Sequence, residues 1–153
     1  MDLHRNIITK NAAETEKIGE VLAHHLISQH NRELFPHLYC LYGDLGSGKT
    51  TFTRGFARGL GIKDRIISPT YIFIRSYKIP ESRSNFYHID LYRTGNGNIV
   101  KSLGLSEIIS GKGNVIMIEW ADLLQTDFGG DRTDIKFTTQ PDNAYEIRII
   151  IKK

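Results

Sequence analysis

The sequence predicts an α/β fold, a mixed sheet flanked by helices in a single domain, and three observations carry that expectation. "NVIMIEWAD" holds four successive apolar residues, Val115 to Ile118, the pattern of a strand buried on both faces of a sheet. "HLYCLY", His37 to Tyr42, is a short strand that runs into a glycine-rich turn and then into the helical stretch "TTFTRGFARGLG". Near the end, "DIKFTT" and "YEIRIIIKK" are strand-like and flank "QPDNA", a turn-like break.

The remaining elements follow in chain order. Asn11 with Glu14 three residues on has the form of a capping box, and Ile18, Val21, Leu22 and Leu26 follow at helical spacing, so an amphipathic helix is expected there. The helix after the glycine-rich turn should close near Gly59 to Gly61. "RIISPTYIFIRSY" and "NFYHIDLYR" read as two strands joined by "KIPESRS", a polar, proline-bearing connection of hairpin length. At 153 residues with 40% hydrophobic content the chain suits one compact unit with a real core.

Charge and cysteine usage set further bounds. Twenty basic against 17 acidic side chains give a formal net charge of +3, compatible with polyanions but no signature of binding them. The single cysteine, Cys40, lies inside an apolar run and has no internal disulfide partner, so it reads as a buried small hydrophobe in a reducing compartment. "MDLHRNIITK" lacks the apolar core of a signal peptide, and no stretch approaches the roughly 20 apolar residues that span a bilayer. Cytoplasmic localisation without membrane attachment is the expectation.

The glycine-rich turn carries the chemistry. Gly43, four residues, then Gly48, Lys49 and Thr50 match the P-loop spacing G-x-x-x-x-G-K-[ST], and the match falls where the physics requires it, between a strand and a helix. Glycine lets successive backbone N–H groups face one anion. Lys49 supplies a point charge for the outer phosphates, the positive end of the following helix adds to it, and the Thr50 hydroxyl suits Mg²⁺. The loop is expected to hold a nucleoside triphosphate.

Such a cradle needs an acid to anchor magnesium, and a hydrolase also needs a group that orients water. Glu119, at the end of the buried run, and Asp90 in "YHIDLYR" are the candidates, since ligands of open α/β sheets bind at the carboxyl ends of the strands. Each also reads as a plain charged strand terminator. Ser68, Pro69 and Thr70 lie just beyond the P-loop helix, where nucleotide switches place a segment ordered by the γ-phosphate and Mg²⁺. Thr70 is the obvious hydroxyl there, and equally an ordinary threonine after a proline bend.

"LYGDLGSGKTTFTRGFARGLG", "SPTY", "HIDLYR", "GLSEII" and "IEWAD", in this order and at these separations, resemble the TsaE (YjeE) family of small bacterial P-loop ATPases. The resemblance runs from about Thr15 to Leu124 and implies one P-loop ATPase domain over residues 1–153. It implies a role in making threonylcarbamoyladenosine next to the anticodon of tRNA, with TsaB and TsaD as partners; TsaD does the carbamoyl transfer, and the ATPase docks on the pair and drives its turnover. By the same resemblance, Gly46, Ser47, Gly48, Lys49, Thr50 and Thr51 would bind the phosphates of ATP, with Thr50 and Glu119 directed at Mg²⁺. Asp90 would position or activate the attacking water, and Ser68, Pro69 and Thr70 would form the switch. Trp120 would pack close to the nucleotide, while a lone tryptophan after a core strand also reads as packing. Thr15 matches a common family threonine.

Two departures stand out from the family pattern. After "DLYR" the family usually has an acidic, helix-favouring stretch, whereas this chain reads "TGNGNIVKS", which favours a turn. Before the last strand the family often carries Gly-Arg, and here Ala144 and Tyr145 stand instead. Alternative functions are a small-molecule kinase, which would need an arginine-bearing lid over the phosphates although Arg83 in a short hairpin and Arg132 in a glycine-flanked turn offer no obvious one, and a nucleotide-dependent RNA-binding or interaction module. The module would use Lys63, Arg65, Arg75, Lys78 and Arg83 with Tyr71, Phe73 and Tyr77 between them; a solvated sheet face reads the same way. No guanine-reading N-K-x-D motif is present, "DFGG" follows the wrong strand for a GTPase switch, and DNA is not an expected partner.

Overall fold

The computed structural model of the chain describes residues 3–34, 37–69, 73–92, 103–124 and 131–152. Among them a seven-stranded sheet forms from β1 (Leu3–Thr9), β2 (His37–Tyr42), β3 (Ile74–Lys78), β4 (Asn85–Asp90), β5 (Val115–Glu119), β6 (Arg132–Thr139) and β7 (Tyr145–Lys152). The helices are α1 (Ala12–Ile27), α2 (Lys49–Gly59) and the short α3 (Leu105–Ser110). The strand order is β1-β7-β6-β2-β5-β4-β3. β2 runs parallel to both β5 and β6, and β4 runs parallel to β5. The β3–β4 and β6–β7 hairpins and the β1–β7 pair are antiparallel. The expected mixed sheet is therefore present, with the parallel strands at its centre.

Every residue of β5 is buried, as its unbroken apolar run requires. One face of the sheet packs Tyr39, Met117, Phe86 and Phe137 against Phe52 and Phe56 of α2 and Ala23 and Leu26 of α1. The other packs Leu38, Cys40, Ile116 and Ile118 against Leu105 of α3 and Ala121. Each large apolar side chain so buried contributes about 1.5–3 kcal/mol.

Asn11 caps α1, accepting from the Glu14 backbone N–H at 2.9 Å. The reciprocal arm of the expected box lands one residue early, because the Glu14 carboxylate takes the Lys10 N–H at 2.7 Å. The buried stripe of α1 is Thr15, Gly19, Ala23 and Leu26, while Val21, expected on the apolar face, is exposed. Small residues in that stripe let α1 lie close to α2. A Cβ on Gly55 of α2 would collide with the Glu16 carbonyl group, so glycine alone permits the approach.

Two strand expectations need correction. Residues 65–69 carry no strand: Pro69 is buried and has no N–H, its carbonyl takes the Phe73 N–H at 2.7 Å, and β3 begins at Ile74. β1 was not expected at all. Its interior reads His4, Arg5 and Asn6, and it exists by pairing along its whole length with the edge of β7.

Candidate nucleotide site

The carboxyl ends of β2, β4 and β5 lie along one rim, and the glycine-rich loop arches over it from Tyr42 into α2. Below the loop is a cavity of about 520 Å³. Gly46, Ser47, Gly48, Lys49, Thr50 and Thr51 all line it, together with Ser68, Asp90, Glu119 and Trp120. Gly48 occupies the N-cap of α2 at φ 101°, a left-handed conformation costly to a side chain, and it leaves the first turn's N–H groups without a side-chain cap. Those N–H groups and the helix dipole make the loop an anion cradle.

Lys49 is 4% exposed, and its ammonium donates to the carbonyl oxygens of Gly43 (2.6 Å) and Asp44 (2.8 Å). The Trp120 ring covers it, with the ammonium 4.3 Å from the ring centroid, and Tyr92 packs on the same ring at 4.9 Å. Burial lowers the lysine's pKa below its ordinary value, against the opposing pull of the Glu119, Asp90, Asp122 and Asp44 carboxylates.

The two acids sit side by side, Asp90 paired with Glu119 in the parallel register of β4 and β5, and both are buried. Their contacts separate them. Glu119 Oε2 accepts the Thr50 hydroxyl at 2.9 Å, which brings together the two groups expected to face magnesium. Asp90 Oδ2 accepts the Ser68 hydroxyl at 2.9 Å, and its Oδ1 takes the Tyr92 N–H at 2.9 Å. Thr50 and Glu119 are hard oxygen donors suited to Mg²⁺. Among the described residues no group of three or more His, Cys, Asp or Glu is arranged to hold a metal ion by itself, so the other coordination positions would fall to phosphate oxygens and water.

Pro69, which follows Ser68, is buried, and Thr70, expected in the switch, lies outside the described residues. So do Tyr71, "DFGG" and the "TGNGNIVKS" stretch after Arg93. Thr15, which accepts from or donates to Thr9 at 2.8 Å, reaches the cavity wall together with Ala12 and Tyr145. The position where the family often has arginine thus presents an aromatic ring. His88 was missed in the sequence: it is fully buried with Nε2 2.7 Å from Glu119 Oε1. Its signal was available, since residues two apart on a strand share a face and His88 stands two before Asp90.

The alternatives find less support here. Arg132 is held by Asp134 at 3.1 Å, next to Thr133, which pairs with Tyr39 below the loop end of β2; Arg83 sits in the β3–β4 connection. The basic scatter is divided. Lys63 and Arg65 follow α2, while Arg75 and Lys78 fall on opposite faces of β3. No described helix is long and apolar enough to cross a membrane.

A parallel-centred sheet with this loop between its central strand and a helix, and two acids on the facing rim, defines a P-loop protein of the nucleotide-binding class. Residues 9–148 match the family model described as threonylcarbamoyl adenosine biosynthesis protein TsaE. The chain belongs to the TsaE family. It is 41% identical over 107 residues to a Bacillus subtilis protein named tRNA threonylcarbamoyladenosine biosynthesis protein TsaE, a match covering 70% of this chain and 65% of that one. A Rickettsia felis protein of the same name is 36% identical over 121 residues, covering 78% of this chain and 64% of its own length. The chain thus spans a little under two thirds of these relatives. The crystal structure of Bacillus subtilis YdiB superposes with a TM-score of 0.76 at 33% identity, over 99% of this chain and 87% of that chain.

Proposed function

We propose that this protein binds and hydrolyses Mg-ATP in the cavity under the Gly43–Thr50 loop, and works with TsaB and TsaD in forming threonylcarbamoyladenosine next to the anticodon of tRNA. The observation that carries the reading is the convergence of Thr50, Glu119, Asp90 and Ser68 on the cavity beneath that loop. The relatives' names supply the pathway; the partners come from the resemblance of the motifs.

In this reading the first-turn N–H groups of α2 and Lys49 hold the phosphates, and Lys49 leaves the Gly43 and Asp44 carbonyls to do so. Thr50 and Glu119 would hold Mg²⁺, which would supply charge to neutralise that developing on the phosphates. Asp90 orients the attacking water and accepts its proton. Its bond to Ser68 couples that acid to the Ser68–Thr70 switch, so the state of the terminal phosphate is transmitted to the surface that meets the partners. Hydrolysis by the chain alone is slow, because phosphoryl transfer is accelerated mostly by positioned charge and a partner completes the site.

The test is Mg²⁺-dependent ATP hydrolysis by the purified protein, alone and with TsaB and TsaD, with Lys49→Ala as control. A rate that the pair raises and Lys49→Ala lowers by roughly 100-fold or more is the expected outcome. A rate indifferent to both the pair and Lys49 would reject the reading.

A further inference from the structure

We infer that His88 is a positioning residue: its imidazole fixes the Glu119 carboxylate so that one oxygen is turned to Thr50 and the cavity. The inference rests on the reading of Glu119 as a magnesium-directed acid and extends it one layer inward.

Glu119 is a long side chain on the last residue of β5, and a free glutamate would have several rotamers to lose on binding a cation. Here its two oxygens are differently employed. Oε2 faces Thr50, whereas Oε1 lies 2.7 Å from His88 Nε2 and 3.2 Å from the Thr53 hydroxyl. Thr53 is a divided partner. Its Oγ1, with one proton to give, is also 3.0 Å from the Lys49 carbonyl oxygen and 3.2 Å from Met117 Sδ. The histidine has no such division. Its Nδ1 is buried with no hydrogen-bond partner among the described residues, so all the hydrogen bonding the ring makes there goes to Glu119.

The contact sets one condition: a carboxylate oxygen accepts, so the hydrogen bond to Oε1 is donated by Nε2–H. A fully buried imidazole with one ring nitrogen unpartnered is a costly way to fill a core position that an apolar side chain would fill without desolvation. What the histidine supplies in return is direction: β4 beside β5 sets His88 opposite Met117, one layer below the Asp90–Glu119 pair, where it can reach Oε1 and cannot reach the cavity side. This is the arrangement by which outer-shell partners orient groups that hold a metal.

The test compares His88→Phe, which keeps a ring and removes the donor, with His88→Gln, whose amide nitrogen can stand near Nε2. Binding of a fluorescent ATP analogue is measured with Mg²⁺ and with EDTA, alongside thermal unfolding. The expected result is that His88→Phe weakens the Mg²⁺-dependent gain in affinity about 10- to 100-fold, leaves affinity in EDTA unchanged, and is largely rescued in His88→Gln. Equal Mg²⁺ gains in both variants and the unsubstituted protein would overturn the inference while leaving the nucleotide reading intact. An unsubstituted protein whose binding Mg²⁺ does not strengthen would reject both. Should His88→Phe fail to fold, nitrogen NMR of the unsubstituted protein decides: a proton on Nε2 whose resonance shifts when Mg²⁺ joins the nucleotide complex supports the inference, and an Nε2 without a proton overturns it.

Discussion

The wall of the cavity made by α1, the glycine-rich loop and α2 is shaped mainly by close helix packing, whereas the facing wall, made by Ser68, Asp90, Glu119 and Trp120, is shaped mainly by the hydrogen bonds of its acids. On the first wall, helix lies on helix through glycine, a side-chain cap fixes the start of α1, and the Phe52 N–H closes on the Gly48 carbonyl at 2.9 Å. On the second, Asp90 depends on the Ser68 hydroxyl and the Tyr92 N–H, and Phe73 and Trp120 adopt left-handed backbone at φ 61° and 58°. Such conformations cost about 1–3 kcal/mol each for a bulky residue and persist only where the surroundings enforce them. The Phe73 carbonyl accepts the Asp90 N–H at 3.0 Å, so one strained residue is tied to the acid expected to act on water. The contrast is one of means: helix packing sets the cradle, and side-chain hydrogen bonds that converge on Asp90 and Glu119 set the wall it faces.

The largest effect expected from breaking this contrast comes from the second wall. Asp90→Ala should lower turnover about 10²- to 10⁴-fold, the range for losing a positioned acid or base, while nucleotide affinity stays within a few-fold. Single-turnover hydrolysis and equilibrium binding measured on the same sample separate the two. If affinity drops as far as turnover, Asp90 belongs to the cradle and the division fails.

The first wall should respond in stability. Gly55→Ala forces α1 away from α2 by placing a methyl group against the Glu16 backbone, which should cost about 1–3 kcal/mol as overpacking does. Thermal unfolding would register a loss of roughly 2–4 °C for each kcal/mol in a chain of this size. Because Thr15 on α1 lies against the loop at Gly48, the variant should also loosen nucleotide binding in proportion. An unchanged melting point would mean that the helices are not held at this distance.

What the sequence disclosed divides along the same line. The cradle was legible because backbone geometry writes itself into residue type: glycine where a left-handed turn is needed, lysine and threonine at fixed spacing after it, and an unbroken apolar run for β5. Asp90 and Glu119 were legible as acids at strand ends, but which one meets Thr50 depends on side-chain direction across two strands, and local pattern does not encode that. His88 was legible as sharing a face with Asp90, but its partner, Glu119, is 31 residues away. β1 was invisible because its evidence is the complementary edge of β7, at the other end of the chain. The late start of β3 was hidden because β-branched and aromatic residues run on past Pro69, whose missing N–H cannot serve a ladder.

The smallest effect concerns Lys49, where the two walls meet and where pH can pull binding and stability in opposite directions. Burial lowers its pKa, so on raising pH the folded protein loses this ammonium before an ordinary lysine would lose its own. Phosphate binding needs the charged form, and affinity should therefore fall with pH through that lowered pKa, by up to about tenfold per unit beyond it. Stability should move the other way. Between the lowered pKa and the ordinary lysine value, the unfolded chain binds more protons at this position than the folded one, and where the unfolded state binds more protons stability rises with pH. The comparison is made against Lys49→Met, which removes the titration and keeps the length of the side chain. In the alkaline range the affinity of the unsubstituted protein should decline while its stability gains on that of the variant. Slopes of the same sign would show that the lysine is not the group shared between cradle and acids, and would move the coupling of the two walls to Trp120, which touches both Lys49 and Tyr92.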